Sequence, residues 1–416
     1  MAHDTLLEVP DAVSRILADV RPLSTARVPL LEAYGLVLAR DAIASVTLPP
    51  WNNSAMDGYA VHSSDLASLP TALRVTETVP AGGFPTRAVE RGTATRIMTG
   101  APVPEGADTV VRVEDTDGGT IHVEIRSDRD AGKNIRPRGE DIIEGRTAIP
   151  AGTALGAAQI GVLASLGFAD VEVHRRPRVA ILTSGNELVE IAHFEQVRAG
   201  KKIVSSNSYT LQALVRATGG EPTYLGIAVD TPDSLREHLV RASTYDLIIT
   251  SAGISVGEHD YVRDVLQGLG AEMKFWRVRM RPGAPIGFGL LGGVPWIGLP
   301  GNPVSTMVTF ELFCRPAIRK LLGHTALFRR PFEVTMEEAV TINAPLMHFL
   351  RAVVATSGPH RIARLTGPQS SGILTSMSMA NALLIIPADR QRIEAGETVR
   401  ALPLSDDTQL AADFAL

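Results

Sequence analysis

The chain has 416 residues, 45% of them hydrophobic, and a net charge of −5. That length is about three times a usual domain, and the acidic balance excludes a general nucleic-acid or membrane-surface binder, so an anionic ligand has to meet a local basic cluster. A single cysteine, Cys314, excludes an intrachain disulfide and fits a reducing, cytoplasmic setting.

The first stretch, "MAHDTLLEVPDAVSRIL", carries early acids and no basic segment before an apolar run, so it does not read as a signal peptide. "DAVSRILADV" places Val13, Ile16, Leu17 and Val20 on one helical face. At Pro49–Pro50 a helix cannot continue. From there to about residue 143 the text is short strand-like runs between Gly and Pro, which reads as a small β insertion. "AGTALGAAQIGVLASLGFADVEVHRRP" returns to helix and then strand. The expected division is a helical domain from 1–44 and 144–176, an inserted β domain at 45–143, an α/β domain at 177–325 and a C-terminal β-barrel at 326–416.

In the α/β segment the apolar runs "RVAILTS", "PTYLGIAV", "YDLIITS" and "KFWRVRM" alternate with helical text, which predicts a parallel, doubly wound sheet. Thr231 as N-cap with Pro232 after it, and Asn302 with Pro303, are helix starts. The barrel is expected from "FEVTMEEAV", "FLRAVVAT", "HRIARLT", "NALLIIPA" and "ETVRALPL". Cys314 sits in helical text and reads as a core thiol.

Ligands of such sheets bind beyond the carboxyl ends of the strands. Three loops leave those ends, and each carries an acid: Glu187 in "TSGNEL", Asp230 in "VDTPD" and Asp260 in "SAGISVGEHD". Asp230 taken alone reads more readily as a cap or turn than as a ligand. Three acids on one edge call for a cation, and Mg²⁺ suits scattered carboxylates with water and phosphate. The ten dispersed histidines offer no transition-metal cluster. Arg277, Arg279 and Arg281 alternate, so in one strand they share a face, either a solvated one or an anion-binding one. The helix start at Asn302–Pro303, with Ser305, supplies N–H groups and a hydroxyl for a compact oxyanion. Asp57–Gly58 reads as a β-turn, or as an acid displayed to a partner subunit. Thr99–Gly100 ends a strand.

Taken in order, "PPWNNSAMDGYAV", "RIMTGAPVPEGADTVVRVED", "NIRPRGEDI", "TSGNELV", "SAGISVGEHDYV", "RPGAP" and "LPGNPVSTMVTFELF" resemble the molybdopterin molybdenumtransferases, the MoeA family that includes the gephyrin E-domain. The resemblance spans nearly the whole chain. It implies a split helical domain, an inserted β domain, a MogA-like α/β domain and a C-terminal β-barrel. It also implies a cytoplasmic homodimer whose active site is shared between subunits. Molybdate and adenylylated molybdopterin are the implied substrates, AMP leaves, and Mg²⁺ assists. Transient contact with the molybdopterin adenylyltransferase and with acceptor molybdoenzymes follows, and neither nucleic acid nor membrane is a partner.

The resemblance assigns catalytic roles to Asp57, Thr99, Glu187, Asp230 and Asp260, with Glu187 and Asp260 on the metal. It assigns the cofactor to Asp141, Ser184, Gly185, Asn207, Gly253, Ser255, Gly257, Pro300, Gly301, Asn302 and Pro303. The oxyanion falls to Arg277, Arg281, Ser305, Arg351 and Ser371. This chain departs from the family at three places. Ala252 replaces a glycine, which disfavours a positive φ there. Ala284 replaces a lysine in "PGAP". "VSSN" at 204–207 replaces "YDSN" and lacks its acid, Ser205 standing there. Two other readings are an adenylyltransferase acting on molybdopterin, which the extra domains oppose, and a gephyrin-like scaffold, for which a long linker and a second enzyme module are lacking.

Overall fold

The computed structural model describes residues 6–253, 261–358 and 360–405. The chain divides into two compact units, one of residues 40–151 with 157–169 and one of residues 1–39, 152–156 and 170–416.

The smaller unit is built on a five-stranded sheet in the order Thr109–Arg112, Gly58–Val61, Thr93–Ile97, Thr71–Val79, His122–Ile125. Tyr59, Val61, Leu73, Val111, Val123 and Ile125 fill one core against it. Asp130 is buried and takes two bonds from the Arg112 guanidinium, each 2.8 Å. That fork holds the Asp130 carboxyl well below its usual range, at about 2.

The larger unit holds a six-stranded sheet in the order Glu221–Ala228, Arg178–Ser184, Leu247–Ser251, Val294–Leu299, Pro285–Leu291, Glu272–Arg277. The first four strands are parallel, as the alternating pattern predicts, but the last two run antiparallel to their neighbours. The reason is local. Pro285–Leu291 and Val294–Leu299 are joined by only Gly292 and Gly293, both at positive φ (59° and 85°), and a two-residue turn can only reverse the chain. Helices Ser206–Thr218 and Pro303–Thr309 bury Leu211, Val215, Val304 and Val308 against the sheet. The first helix, Val9–Asp19, adds Val9, Ala12 and Ile16 to that same core. Beyond Thr309 the helix passes through a π-helical turn at Phe310–Cys314 into Arg315–Leu321. Cys314 is fully buried there and its thiol is pushed well up by burial, as a core residue.

The C-terminal strands close a barrel. Met347–Ser357 pairs with His360–Leu365, which pairs with Phe332–Met336, then Thr398–Pro403, then Ala382–Ile386, and this last strand pairs back to Met347–Ser357. A further short strand, Met280–Arg281, runs parallel to Met347–His348 and fastens the loop after the α/β edge strand to the barrel.

Candidate active site

Ser184, Ala228, Ser251 and Leu299 sit side by side where the four parallel strands end. A cavity of about 400 Å³ opens over this edge. Glu187, the helix start at Ser205–Asn207, Ser251–Gly253 and Pro300–Pro303 line it. Asn207 fastens two of these loops: its Nδ2 donates to Ser251 Oγ (2.9 Å) and to the Gly301 carbonyl (2.8 Å). Thr306 Oγ1 secures the second of them again, donating to the Pro300 carbonyl at 2.6 Å. Gly185 has a φ of +148°, and a Cβ there would stand 2.7 Å from both carboxylate oxygens of Glu187. The glycine thus lets the carboxylate fold over the loop.

Against the sequence expectation, Ala252 does adopt the left-handed conformation, with φ +76°, followed by Gly253 at +70°. The backbone path is set by its neighbours. The Ala252 N–H donates to the Leu299 carbonyl (3.1 Å), and a Cβ on Gly253 would come within 2.5 Å of Val262. The methyl group accepts the strain that glycine avoids.

A second cavity, of about 710 Å³, adjoins the first, since Pro285 and Asn302 line both. Arg281, Ala284, Ser305, His348, Arg351 and Ser371 face it. Arg351 is wholly buried. Its guanidinium donates to Ser376 Oγ (3.0 Å) and to the carbonyls of Gln369 (3.1 Å), Pro368 (3.3 Å) and Ser370 (2.9 Å). Every one of these partners is neutral. Burial lowers the Arg351 pKa from its usual value, yet a guanidinium stays charged. His348 is also buried and is held toward its neutral form, first by burial and also by the charge of Arg281. The second cavity is therefore cationic at its floor and its rim.

Three family models cover the chain: the MoeA N-terminal region (domain I and II) over residues 7–167, the probable molybdopterin binding domain over 180–320, and the MoeA C-terminal region (domain IV) over 333–404. Molybdopterin molybdenumtransferase 2 of Mycobacterium tuberculosis is 37% identical over 403 residues, covering 94% of this chain and 98% of the relative. This chain belongs to the MoeA family. A molybdopterin molybdenumtransferase of Nostoc is also 37% identical, over 91% of this chain and 88% of its own. The crystal structure of a molybdopterin biosynthesis moeA protein from Pyrococcus horikoshii superposes with a TM-score of 0.83 at 29% identity, over 96% of this chain and all of that one. The multidomain fold of the MoeA family, α/β plus β, is thereby this chain's fold.

The residues expected from the MoeA pattern divide between several places. Glu187, Asn207, Gly253, Pro300, Gly301, Asn302 and Pro303 line the first cavity, and Ser184 is buried at the strand end beneath it. Arg281, Ser305, Arg351 and Ser371 line the second. Ser255, Gly257 and Asp260 lie outside the described residues. The three arginines do not share a face, because the edge strand ends at Arg277, opposite Pro285. Backbone pairing then passes to Leu7, and Arg279 turns to Glu8 in an ion pair of 3.3 Å. Arg277 is exposed and is not among the residues lining either cavity.

The helix start at Pro303 is not an open anion seat, since the Val304 N–H already donates to the Ser371 carbonyl at 3.1 Å. Asp230 lines neither cavity; it is bonded to Asn186 on the neighbouring loop. In the smaller unit Asp57 and Thr99 form one motif, with the Thr99 N–H (2.7 Å) and Oγ1 (2.6 Å) both donating to Asp57 Oδ1. Those bonds, the hydroxyl first, lower the carboxyl's pKa. Asp141 is exposed, with its N–H on the Leu48 carbonyl. His348, Gln369, Ser251 and Thr306 line or brace the two cavities without having been expected from the sequence. Ser251 and Thr306 flank named motif residues and could have been found. His348 and Gln369 carried no local signal beyond their closeness to Arg351 and Ser371.

Proposed function

We propose that this chain is a molybdenum insertase, which transfers molybdenum from molybdate to adenylylated molybdopterin and releases AMP in the last step of molybdenum cofactor synthesis. Its relatives are named as transferases of this kind. The observation that carries the reading is the Arg351 guanidinium, fully buried, bonded only to neutral groups, and facing a cavity with Arg281 and Ser305. A buried cation without a carboxylate is stabilised by an anion in the adjoining space. The adjacent first cavity then takes the organic substrate, so that the two reactants meet near Asn302 and Pro285. Positioning of this kind, with fixed charges against a developing anion, supplies a large part of such a barrier. The adenylyltransferase alternative concerns only the part of the chain matched at 180–320.

Mg²⁺ fits the donors of the first cavity. Glu187 is an exposed carboxylate on the wall of the first cavity, and no group of three acids, histidines or cysteines forms a closed metal cage among the described residues. That suits an ion which keeps water and substrate phosphate in its shell. Glu187 would hold it, together with Asp260. When bound it supplies charge neutralisation at the phosphates. Asp57, with Thr99, we assign to the site of a second copy in a homodimer that works in the cytoplasm and hands its product to acceptor molybdoenzymes. Mixed dimers of Asp57→Ala and Glu187→Ala chains should regain activity lost by each alone; heterodimers that stay inactive refute the shared site.

The function is tested with purified full-length chain, adenylylated molybdopterin and Mg²⁺, with and without molybdate. AMP release that rises with molybdate and yields metal-loaded product is the expected result. AMP release indifferent to molybdate, or none at all, overturns it.

A further inference from the structure

Beneath the first cavity lies a chain of hydroxyls whose direction can be worked out. Thr183 Oγ1 is 3.1 Å from Ser205 Oγ and 3.1 Å from the Tyr224 hydroxyl, and that hydroxyl donates to Glu190 Oε1 at 2.9 Å. Three contacts are shared by three hydroxyl protons. The carboxylate of Glu190 only accepts, so Tyr224 spends its proton there. Tyr224 must then accept from Thr183, and Thr183 must accept from Ser205. Burial keeps the Tyr224 phenol protonated by raising its pKa. Ser205, which lines the cavity, is left with lone pairs alone for a ligand.

Asn207 points the same way. Ser251 gives its own proton to the Pro300 carbonyl (3.3 Å), so Ser251 Oγ and the Gly301 carbonyl both accept from Asn207 Nδ2. These two acceptors fix the orientation of the amide and leave Asn207 Oδ1 as its remaining group for a ligand. Glu187 adds a carboxylate to the same cavity.

We propose that Ser205, oriented by Thr183, Tyr224 and Glu190, gives the first cavity an acceptor edge, shared with Asn207 Oδ1, that selects the N–H donor edge of a heterocycle over an oxygen acceptor. The proposal rests on the functional reading above and deepens it: the heterocycle is read in this cavity, and the oxyanion is left to the cationic one beside it. Ser205 stands where the resemblance placed an acid, and the polarised hydroxyl supplies an acceptor without the negative charge. Glu190 and Tyr224 are positioning residues.

The test titrates the full chain calorimetrically with 6-methylpterin, whose 2-amino group donates, and 6-methyllumazine, whose 2-oxo group accepts. Wild type should favour the pterin by about tenfold or more, because a mismatched acceptor pair leaves both groups unpaired. Ser205→Ala should erase the preference. Glu190→Lys is the sharper variant: its ammonium can only donate to Tyr224, reverses every hydroxyl down to Ser205, and should bring the ratio to one or invert it. Tyr224→Phe, which frees Thr183 and Ser205, should narrow the ratio to between those of wild type and Glu190→Lys. A ratio that Glu190→Lys leaves at the wild-type value in a chain of unchanged melting temperature overturns the proposal, as does binding of neither pteridine. Molybdate-dependent AMP release, measured on the same wild-type protein, reports on the functional reading separately. If that release is present while the ratio is insensitive, only the recognition edge falls; if it is absent while the ratio inverts, only the insertase reading falls.

Discussion

Asn186 and Asp230 latch two strand-end loops to each other. The Asn186 N–H donates to Asp230 Oδ2 at 3.1 Å, and the Asp230 N–H donates to Asn186 Oδ1 at 3.3 Å. Lys202 adds a bond from its ammonium to the Asn186 carbonyl. The latch orients the turn that carries Glu187, so Asp230 acts on the cavity through its neighbour. Asp230→Ala is expected to cost about 1 kcal/mol in urea unfolding, the net worth of such bonds at a half-exposed site. Asp230→Asn retains an acceptor and should cost less than half of that. Equal losses in the two variants would show that the carboxylate's charge, and not only its acceptor oxygen, holds the latch.

Ala252 holds a φ of +76° that glycine adopts freely. Ala252→Gly should therefore raise stability by about 0.5–1 kcal/mol, the relief of left-handed strain less the added freedom of the unfolded chain. Thermal unfolding checks the sign. A lower melting temperature for the glycine variant would mean that the methyl group's packing near Gly301 outweighs its strain.

Molybdate affinity should respond differently to the two arginines of the second cavity. Arg281 is exposed, so Arg281→Ala should weaken molybdate binding about tenfold or more while changing stability by less than about 0.5 kcal/mol. Arg351→Met should abolish binding and also destabilise the chain by roughly 3 kcal/mol, because four acceptors lose their donor. Ala284→Lys places a cation on the same wall and should tighten binding about tenfold. Titrations at one fixed ionic strength are needed, since screening changes all three values. If Arg281→Ala binds molybdate like wild type, the oxyanion seat lies elsewhere.

Acid stability should carry the mark of Asp130. Its carboxyl falls from 3.8 when unfolded to about 2 when bonded to Arg112, a difference of roughly 2 kcal/mol. That stabilisation is fully present above the unfolded value and is lost as pH falls from about 4 through about 2. Asp130→Asn should lose about this amount at neutral pH, and its stability should then change less than wild type's on acidification. Parallel acid limbs for the two proteins in denaturant titrations would contradict the assignment.

Much of this protein is written locally. Thr231 caps the helix Pro232–Ala242 through the Ser234 N–H, as the Thr-Pro pair predicts. The apolar runs at 178–184, 221–228 and 247–251 become parallel strands, and the loops leaving the first and the last of these line the first cavity. Seven ordered motifs were enough to assign the family. These signals are legible because a cap, a turn or a period-two run is a property of a few consecutive residues.

What the sequence by itself did not determine is which distant residues share a wall. Arg281 and Arg351 meet at one cavity because Met280–Arg281 pairs in parallel with Met347–His348, a two-residue contact with no local signature. Arg279, on the same apparent face, is diverted to Glu8 because the strand ends at Arg277 and the backbone there is taken up by Leu7. The direction of the hydroxyl chain from Ser205 to Glu190 likewise depends on four residues from three segments converging within hydrogen-bond distance. Local sequence chooses the elements, since their energies are short-range. Only tertiary packing chooses partners for buried charges and hydroxyls, since an unpaired one is too costly to bury and each must take the partner that the fold brings near.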